Sequence, residues 1–179
     1  MTESGRAGLS AIKRLMNDDA QLYALAAQVG NHLTDTGRQL VTAESCTGGW
    51  VAKMLTDVPG SSQFYLGGAV TYSKALKQSV LQVSEATLAV HGAVSEATVR
   101  EMALGALARL GGDVAVAISG IAGPGGASPD KPLGTVWFAW ACRQQATIEC
   151  TVRVDHFAGD REAVRRASVA EALRGVLQT

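Results

Sequence analysis

The sequence carries no net charge and few aromatic residues, and both shortages argue against nucleic-acid binding. Its 16 basic and 16 acidic residues cancel to a formal charge of zero, and aromatic side chains make up 5% of the chain. Proteins that bind nucleic acid usually present a basic surface, because the phosphate backbone dominates the affinity. We therefore expect no nucleic-acid partner and no broad attraction to an anionic membrane.

Cysteines and long apolar runs are scarce as well. The three cysteines, Cys46, Cys142 and Cys150, are odd in number and lack paired CxxC spacing, which favours neither a disulfide framework nor a zinc site. No apolar run approaches the roughly 18 residues that a membrane span needs. The N-terminal MTESGRAGLS also lacks the apolar core of a signal peptide. We expect a cytoplasmic protein that inserts into no membrane.

The chain has enough apolar residues to form one domain. It has 179 residues, of which 47% are hydrophobic, and this length favours one core over two. Residues 1–16 begin with glycine and serine and end in the short amphipathic AIKRLM. We predict an N-terminal extension there, partly disordered or a short helix, and a domain over residues 17–179.

Alternating strand and helix patterns predict the architecture of this domain. Helical spacing of apolar residues starts at Asp18 and stops at Gly37. Three buried strands, RQLVTA, FYLGGAVTYS and DVAVAIS, then alternate with the helices GGWVAKMLTDVPG, KALKQSVL and 96–110. Two sequential strands, TVWFAWAC and ATIECTVRVDHF, join through RQQ as an antiparallel hairpin, and the last segment is an amphipathic helix. The fold class is therefore α/β, a single three-layer α/β/α domain with a mixed, mostly parallel sheet of about five strands.

Three polar loops follow the first three strands. They are AESCTGG, TYSKALK and SGIAGPGG. Ligands of open α/β sheets bind beyond the carboxyl ends of the strands, where such loops lead into helices. The sequence therefore predicts one site to which all three loops contribute.

Ser45 opens the first loop and has two interpretations. Since it lies at a strand-to-helix turn, Ser45 or Thr47 is suited to cap the helix that follows. Alternatively, Ser45 is a nucleophile, and free backbone N–H groups of the turn stabilise an oxyanion or a phosphate. Cys46 is a rival nucleophile, because a thiol at a helix N-terminus is readily activated. A serine also needs a base, and neither the histidines nor a GxSxG motif supplies an obvious one.

Lysine is the other candidate base, because a neutral amine accepts a proton. Lys77 falls in the first or second turn of the helix after the second strand, with Ser73 as its expected N-cap. A cation is disfavoured both near a helix N-terminus and in a buried cleft, so both effects favour neutral lysine. Tyr72 at the strand end is placed to assist proton transfer or to orient substrate. Lys74 competes with Lys77 for the role of base.

The third loop has the composition of an anion-binding loop without a known fingerprint. Gly120, Gly123, Gly125 and Gly126 match neither GxxxxGK[ST] nor GxGxxG. Glycines still permit a close approach of the backbone to an anion. Arg161, at the start of the last helix, is suited to pair with a phosphate or with a nearby acidic side chain.

Taken together, these motifs resemble one family. LVTAESCTGGWVAKMLTDVPGSS, FYLGGAVTYSKALK, HGAVSE, SGIAGPGG with KPLGTVWFAWA, and GDREAVRR recur in this order in the nicotinamide-nucleotide amidases, also known as the CinA C-terminal domain family. The resemblance runs from about Gln21 to about Leu177. It implies hydrolysis of the amide of nicotinamide mononucleotide in pyridine-nucleotide recycling, a three-layer fold with a mixed sheet, and no metal or organic cofactor.

The resemblance also implies catalytic roles for particular residues. The serine of ESCTGG, here Ser45, is the nucleophile, and the tyrosine and lysine of the family's YSNEAK segment are here Tyr72 and Lys77. This favours Lys77 over Lys74. The chain departs from the family in having YSKALK, with Lys74 and Ala75 in place of the Asn-Glu pair, and in having Ala127 where relatives often have another glycine.

The resulting hypothesis is a nucleophilic amide hydrolysis. Neutral Lys77, helped by Tyr72, accepts the proton of Ser45, which attacks the carboxamide carbon. The remaining site residues bind substrate: the backbone N–H groups of Cys46, Thr47, Gly48 and Gly49 hold the oxyanion, and Ser119, Gly120, Gly123 and Arg161 hold the phosphate. The expected partners are this small nucleotide and, for assembly, a second copy of the chain in a homodimer. The alternative hypothesis is a non-catalytic nucleotide- or phosphate-binding module in a competence or DNA-damage response.

Overall fold

The computed structural model describes residues 19–145 and 147–179 and shows a five-stranded sheet between two layers of helices. The predicted extension 1–16 lies outside the described residues. In chain order the elements are α1 Asp19–Asp35, β1 Leu40–Glu44, α2 Trp50–Thr56, a 3-10 turn Ser61–Gln63, β2 Tyr65–Val70, α3 Lys74–Leu81, α4 Glu85–Val90, α5 Glu96–Leu110, β3 Val114–Gly120, β4 Thr135–Gln144, β5 Thr147–His156 and α6 Arg161–Val176.

The strand order is β2-β1-β3-β4-β5. β1 pairs in parallel with both β2 and β3, whereas β4 runs antiparallel to β3 and to β5. The register places Glu44, the last residue of β1, beside Val70 of β2 and Ile118 of β3. The loops after these three strands therefore begin next to one another, at the point where the strand order reverses, and ligands of open α/β sheets bind at such a point.

Two apolar cores cover the two faces of the sheet. Helices α1, α2 and α6 pack on one face, and α3, α4 and α5 pack on the other. Strand β3 contributes Val114, Val116 and Ile118 to the first core and Ala115 and Ala117 to the second. This strand is thus buried on both faces, as its continuous apolar sequence predicts. The predicted three-layer α/β fold with a mixed sheet of five strands is confirmed.

Helix α3 lies against α5 at a position where only glycine fits. A Cβ atom on Gly105 of α5 would lie 1.9 Å from the carbonyl oxygen of Leu81 in α3. The absence of this side chain lets the two helices approach closely. Since α3 also carries Lys77, this contact fixes the depth at which the lysine enters the site.

Two details of the sequence prediction are wrong. The structure adds α4, a six-residue helix capped by the Ser84 hydroxyl, which accepts a hydrogen bond from the Thr87 N–H. The hairpin also turns later than RQQ, because Arg143 and Gln144 still pair with β5. Arg143 is held in the sheet by its side chain, which donates to the carbonyl oxygens of Leu107 and Gly112. No helix within 19–145 and 147–179 is both long enough and apolar enough to span a membrane.

Candidate active site

Ser45 and Lys77 meet at the carboxyl edge of the sheet. Ser45 follows β1 directly, and Lys77 reaches the same point from α3, which the Ser73 hydroxyl caps as predicted. Lys77 Nζ donates to Ser45 Oγ at 2.9 Å and to the carbonyl oxygen of Thr71 at 2.6 Å. Lys74 begins the helix on its exposed side. The geometry therefore pairs the serine with Lys77 and not with Lys74.

Burial determines the protonation of Lys77. Its side chain is fully buried, and both of its hydrogen-bond acceptors are neutral groups. Burial without a compensating negative charge disfavours the ammonium form, and it lowers the pKa of Lys77 from 10.5 to about 8. A substantial fraction of the lysine is thus neutral near physiological pH. The Ser45–Lys77 pair has the geometry and the electrostatics of a nucleophile with its general base.

The N-terminus of α2 is capped by Glu44, a residue that sequence reasoning missed. The Glu44 carboxylate is 1% exposed and accepts hydrogen bonds from the backbone N–H groups of Gly49, Val51 and Ala52, at 2.9, 3.2 and 2.8 Å. The interpretation of Ser45 or Thr47 as the cap is wrong, because the helix begins after Gly49, which makes no side-chain cap. A carboxylate here satisfies N–H groups that have no partner inside the helix and complements its dipole.

This cap reduces the set of N–H groups that can face a substrate. The Gly49 N–H donates to Glu44, and the Gly48 N–H donates to the carbonyl oxygen of Ser45 at 3.1 Å. Gly48 and Gly49 both have positive φ, 64° and 91° respectively, which closes the turn tightly. Within 19–145 and 147–179, the N–H groups of Cys46 and Thr47 donate no backbone hydrogen bond to another residue. Of the four predicted oxyanion donors, these two are unoccupied.

The Cys46 side chain is unsuited to nucleophilic attack. It is 6% exposed, and burial raises the pKa of its thiol from 9.0 to about 12. The reactive form of cysteine is the thiolate, so the thiol is inert at neutral pH. Between the two candidate nucleophiles of the loop, the structure favours Ser45.

Arg165 of α6 contacts the same loop and was also missed from the sequence. Its Nε donates to the carbonyl oxygen of Cys46 at 3.0 Å, and its Nη2 donates to that of Thr47 at 2.7 Å. The guanidinium lies over the Trp50 ring, 5.3 Å from its centroid. A signal existed in the sequence, because Arg165 follows Arg161 by four residues and therefore shares its helix face.

A cleft of about 600 Å³ opens beside the loop. Three of its lining side chains are basic, Lys53, Arg161 and Arg165, and two are acidic, Asp19 and Glu162. The other lining residues are Gly48, Gly49 and Trp50. Since Gly48 and Gly49 are among them but Ser45 and Lys77 are not, the cleft borders the loop after β1 without enclosing the Ser45–Lys77 pair. This arrangement suits a substrate with a reactive end at the pair and an anionic end in the cleft.

Tyr72 lies at the edge of the site and not against the pair. Its side chain is 62% exposed, and its hydroxyl oxygen accepts a long contact of 3.5 Å from Arg161 Nη2. Arg161 Nη1 in turn donates to the carbonyl oxygen of Gly123 at 2.7 Å. The structure therefore brings Tyr72, Arg161 and Gly123 together, and it separates the tyrosine hydroxyl from Lys77. This placement fits substrate orientation better than proton transfer.

Ser119 and Gly120 have structural partners of their own. The Ser119 hydroxyl is 1% exposed and donates to the carbonyl oxygen of Ala93 at 2.7 Å. A Cβ atom on Gly120 would lie 2.7 Å from Val136 Cγ2. Both residues shape the end of β3. The Ser119 hydroxyl is already engaged, and Gly120 has no side chain to offer to an anion.

Two buried hydroxyls near the pair are unpaired. Thr47 Oγ1 and Thr71 Oγ1 are inaccessible to solvent and have no hydrogen-bond partner in the described part of the chain. Thr47 belongs to the serine loop, residues 45–49 after β1. Thr71 also supplies the carbonyl oxygen that accepts a hydrogen bond from Lys77. Among the same residues, no group of three or more His, Cys, Asp or Glu side chains is arranged to hold a metal ion.

The fold and the site together define an open α/β protein whose carboxyl edge joins a serine to a buried lysine. Residues 22–179 match the family model described as the CinA C-terminal domain, and the chain belongs to this family. It is 53% identical over 160 residues to the nicotinamide-nucleotide amidohydrolase PncC of Escherichia coli K12, covering 89% of this chain and 95% of that protein. It is 49% identical over 157 residues to the protein of the same name in Pseudomonas putida, covering 88% and 96%.

A solved structure shows the same fold. The competence damage-inducible protein A of Klebsiella pneumoniae superposes with a TM-score of 0.83 at 45% sequence identity. The match covers 88% of this chain and 96% of that one. The family resemblance read from the motifs is therefore confirmed.

Proposed function

We propose that this protein is a nicotinamide-nucleotide amidohydrolase that converts nicotinamide mononucleotide and water to nicotinic acid mononucleotide and ammonia. The observation that carries the proposal is the hydrogen bond of 2.9 Å between Ser45 and a fully buried lysine. A buried lysine without an acidic partner is costly to a fold, and such groups cluster at catalytic sites. The names of relatives with about half of their residues identical supply the substrate class. We place the reaction in the cytoplasm, in pyridine-nucleotide recycling.

The proposed reaction proceeds through an ester of Ser45. Neutral Lys77 accepts the hydroxyl proton as the serine oxygen attacks the carboxamide carbon, giving a tetrahedral oxyanion. The N–H groups of Cys46 and Thr47 stabilise this charge. Protonated Lys77 then gives its proton to the leaving nitrogen, and ammonia departs. Water gives a proton to Lys77 and attacks the ester carbon. The bond between this carbon and the Ser45 oxygen then breaks, Lys77 returns the proton to that oxygen, and the acid product leaves.

The phosphate of the substrate belongs, in this proposal, in the basic cleft. The N-terminus of α2 does not serve it, since Glu44 already accepts hydrogen bonds from that end of the helix. Arg161 is exposed at the cleft, and its guanidinium also contacts Tyr72 and Gly123. It is suited to pair with two phosphate oxygens. Tyr72 orients the substrate at the same edge of the site.

A coupled assay of ammonia release tests this function. Purified protein is given nicotinamide mononucleotide, nicotinamide riboside or nicotinamide, which share the amide and differ in the phosphate and ribose. We expect turnover of the mononucleotide with kcat/KM at least about 100-fold above that of the riboside, since the riboside lacks the charge-assisted hydrogen bonds between phosphate and Arg161. Binding of the mononucleotide without ammonia release, even at high enzyme concentration, would instead support the non-catalytic module.

A further inference from the structure

Arg165 lines the cleft and also makes hydrogen bonds to the loop that carries Ser45. Two N–H groups on one edge of its guanidinium, Nε and Nη2, donate to consecutive carbonyl oxygens of the serine loop, Cys46 O at 3.0 Å and Thr47 O at 2.7 Å. A planar guanidinium with two such bonds fixes both the position and the tilt of the peptide groups it holds. These carbonyls belong to the Cys46–Thr47 and Thr47–Gly48 peptides, the second and third peptide groups after the proposed nucleophile.

The first of these carbonyls belongs to the same peptide unit as the Thr47 N–H. In a trans peptide the C=O and the N–H point in opposite directions. Anchoring the Cys46 carbonyl on Arg165 therefore turns the Thr47 N–H away from the arginine. A cationic donor on the carbonyl oxygen also polarises the amide, which makes its N–H a stronger donor.

Neighbouring residues hold Arg165 in this position. The Trp50 ring lies 5.3 Å from the guanidinium carbon and supports its flat face. Gly48 lies directly beside Arg165, since a Cβ atom there would be in van der Waals contact with Arg165 Nη2, at 3.4 Å. On the other side of the loop, Glu44 accepts the N–H groups of α2. The loop thus has a buried anion on its N–H side and a cation on its carbonyl side.

We propose that Arg165 is a positioning residue for amide hydrolysis: it orients and polarises the peptide whose Thr47 N–H stabilises the oxyanion on the substrate carbonyl. This inference rests on the proposed function. Arg165 acts through the loop and does not need to touch the reacting atoms. Its loss therefore lowers kcat, whereas loss of a phosphate ligand raises KM.

Steady-state kinetics of Arg165→Ala with nicotinamide mononucleotide test this role. Removing one oxyanion donor from a hydrolase costs about 10²–10³ in kcat, so a misdirected donor should cost about 10- to 100-fold, with KM within about threefold of the parent. Added guanidinium ion should partly restore kcat by occupying the emptied position. Parent-like kcat, an effect confined to KM, or a loss that guanidinium does not relieve would each overturn the proposal.

Arg166→Ala is the matched control. Arg166 also lies over Trp50, at 4.8 Å, but its side chain pairs with Asp19 and Glu162 and makes no contact with the serine loop. We expect this variant to keep the parent kcat. Arg165→Lys is measured beside it, because lysine keeps the charge but loses the two-pronged geometry. Its kcat should also fall, at a melting temperature close to that of the parent.

A second readout does not depend on the substrate. A fluorophosphonate probe reacts with an activated serine: the Ser45 oxygen forms a bond to phosphorus, the P–F bond breaks, fluoride leaves, and Lys77 takes the proton. We expect slower labelling of Arg165→Ala and parent-like labelling of Arg166→Ala, because the phosphoryl oxygen needs the same N–H donor. Equal rates in all three proteins would contradict the role of Arg165. Labelling of Ser45 in a parent that releases no ammonia would refute the proposed substrate, and the labelling rates would still decide the role of Arg165.

Discussion

At the scale of single residues, the proposed chemistry depends on a lysine that is buried without a counter-charge. Burial lowers the pKa of Lys77 to about 8, and only the neutral amine accepts the serine proton. We therefore expect log kcat/KM to rise with pH by about one unit per pH unit below 8 and to level off above it, because this pKa is that of the protein without substrate. Rates measured from about pH 6 to about pH 9 in buffers of constant ionic strength give this profile.

Lys77→Arg is the control for the pH profile. Arginine keeps the positive charge but does not lose its proton in this range, so the variant should be inactive at every pH. A flat profile for the parent, or substantial activity of Lys77→Arg, would contradict the assignment of Lys77 as the base.

The sequence alone reaches some of these residues and misses others for identifiable reasons. Ser45 and Lys77 are 32 positions apart, and although the loops were expected to converge, no local pattern states which of their side chains pair. The resemblance to the family supplied the pairing that spacing left open between Lys77 and Lys74. Glu44 reads as the last residue of a strand, and Arg165 reads as one of several charges on a helix. Their roles depend on which backbone groups point toward them, which only the fold determines.

At the scale of elements, the shortest helices depend most on their caps. Helix α2 has seven residues, and the buried Glu44 carboxylate accepts the N–H groups of Val51 and Ala52 in its first turn and of Gly49 just before it. We expect Glu44→Ala to lower the free energy of unfolding by about 2–4 kcal/mol, because it leaves buried donors unsatisfied. Urea denaturation measures this loss. Glu44→Gln, which keeps one acceptor oxygen, should fall between the parent and the alanine variant.

Ser84→Ala gives the comparison with an ordinary cap. It removes the hydroxyl that caps α4 at an exposed position, and such a change costs about 1 kcal/mol. Equal losses in Ser84→Ala and Glu44→Ala would mean that the buried carboxylate contributes no more than a surface hydroxyl.

The elements that the sequence predicts well are those with long periodic patterns. Helix α5 and its Ser95 cap have the predicted bounds, whereas the six residues of α4 are too few to show a helical period. The hairpin turn was misplaced because Arg143 is polar and yet extends β4, held by carbonyl oxygens of the preceding helix and loop. Short elements and turns fixed by tertiary contacts are therefore the ones that local pattern misjudges.

At the scale of the whole molecule, alternation of strands and helices predicts the layers but not the order of the strands. The strand order β2-β1-β3-β4-β5 places the serine loop between the two other loops of the site. Which strand lies beside which follows from the pairing and packing of segments that are distant in the sequence. The convergence of the three loops was predicted because ligands of open α/β sheets bind beyond the carboxyl ends of the strands. The strand register shows where these ends lie, since it pairs Glu44 with Val70 and with Ile118.

The buried lysine also gives the whole fold a pH-dependent stability. The pKa of Lys77 is 10.5 when unfolded and about 8 when folded, so between these values the unfolded chain binds a proton that the folded protein releases. Stability of the parent therefore rises with pH across this window, by about 1.4 kcal/mol per pH unit at most. Lys77→Met lacks this contribution. We expect the free energy of unfolding of the parent, measured relative to Lys77→Met by urea denaturation, to increase from about pH 8 to about pH 10.

The comparison with Lys77→Met cancels the other groups that titrate in this range. A difference between the two proteins that stays constant with pH would show that Lys77 titrates at an ordinary pKa in the folded protein.

The central claim is that the hydroxyl of Ser45, and not the thiol of Cys46, attacks the amide. Ammonia release from nicotinamide mononucleotide by Ser45→Ala, beside the parent and Cys46→Ala, tests it most directly. The account predicts that Ser45→Ala lowers kcat by at least about 10³-fold, as removal of a nucleophile does in serine hydrolases. Cys46→Ala should keep a rate within about tenfold of the parent, since it retains the backbone N–H. Parent-like turnover by Ser45→Ala, or its loss in Cys46→Ala alone, would contradict the claim.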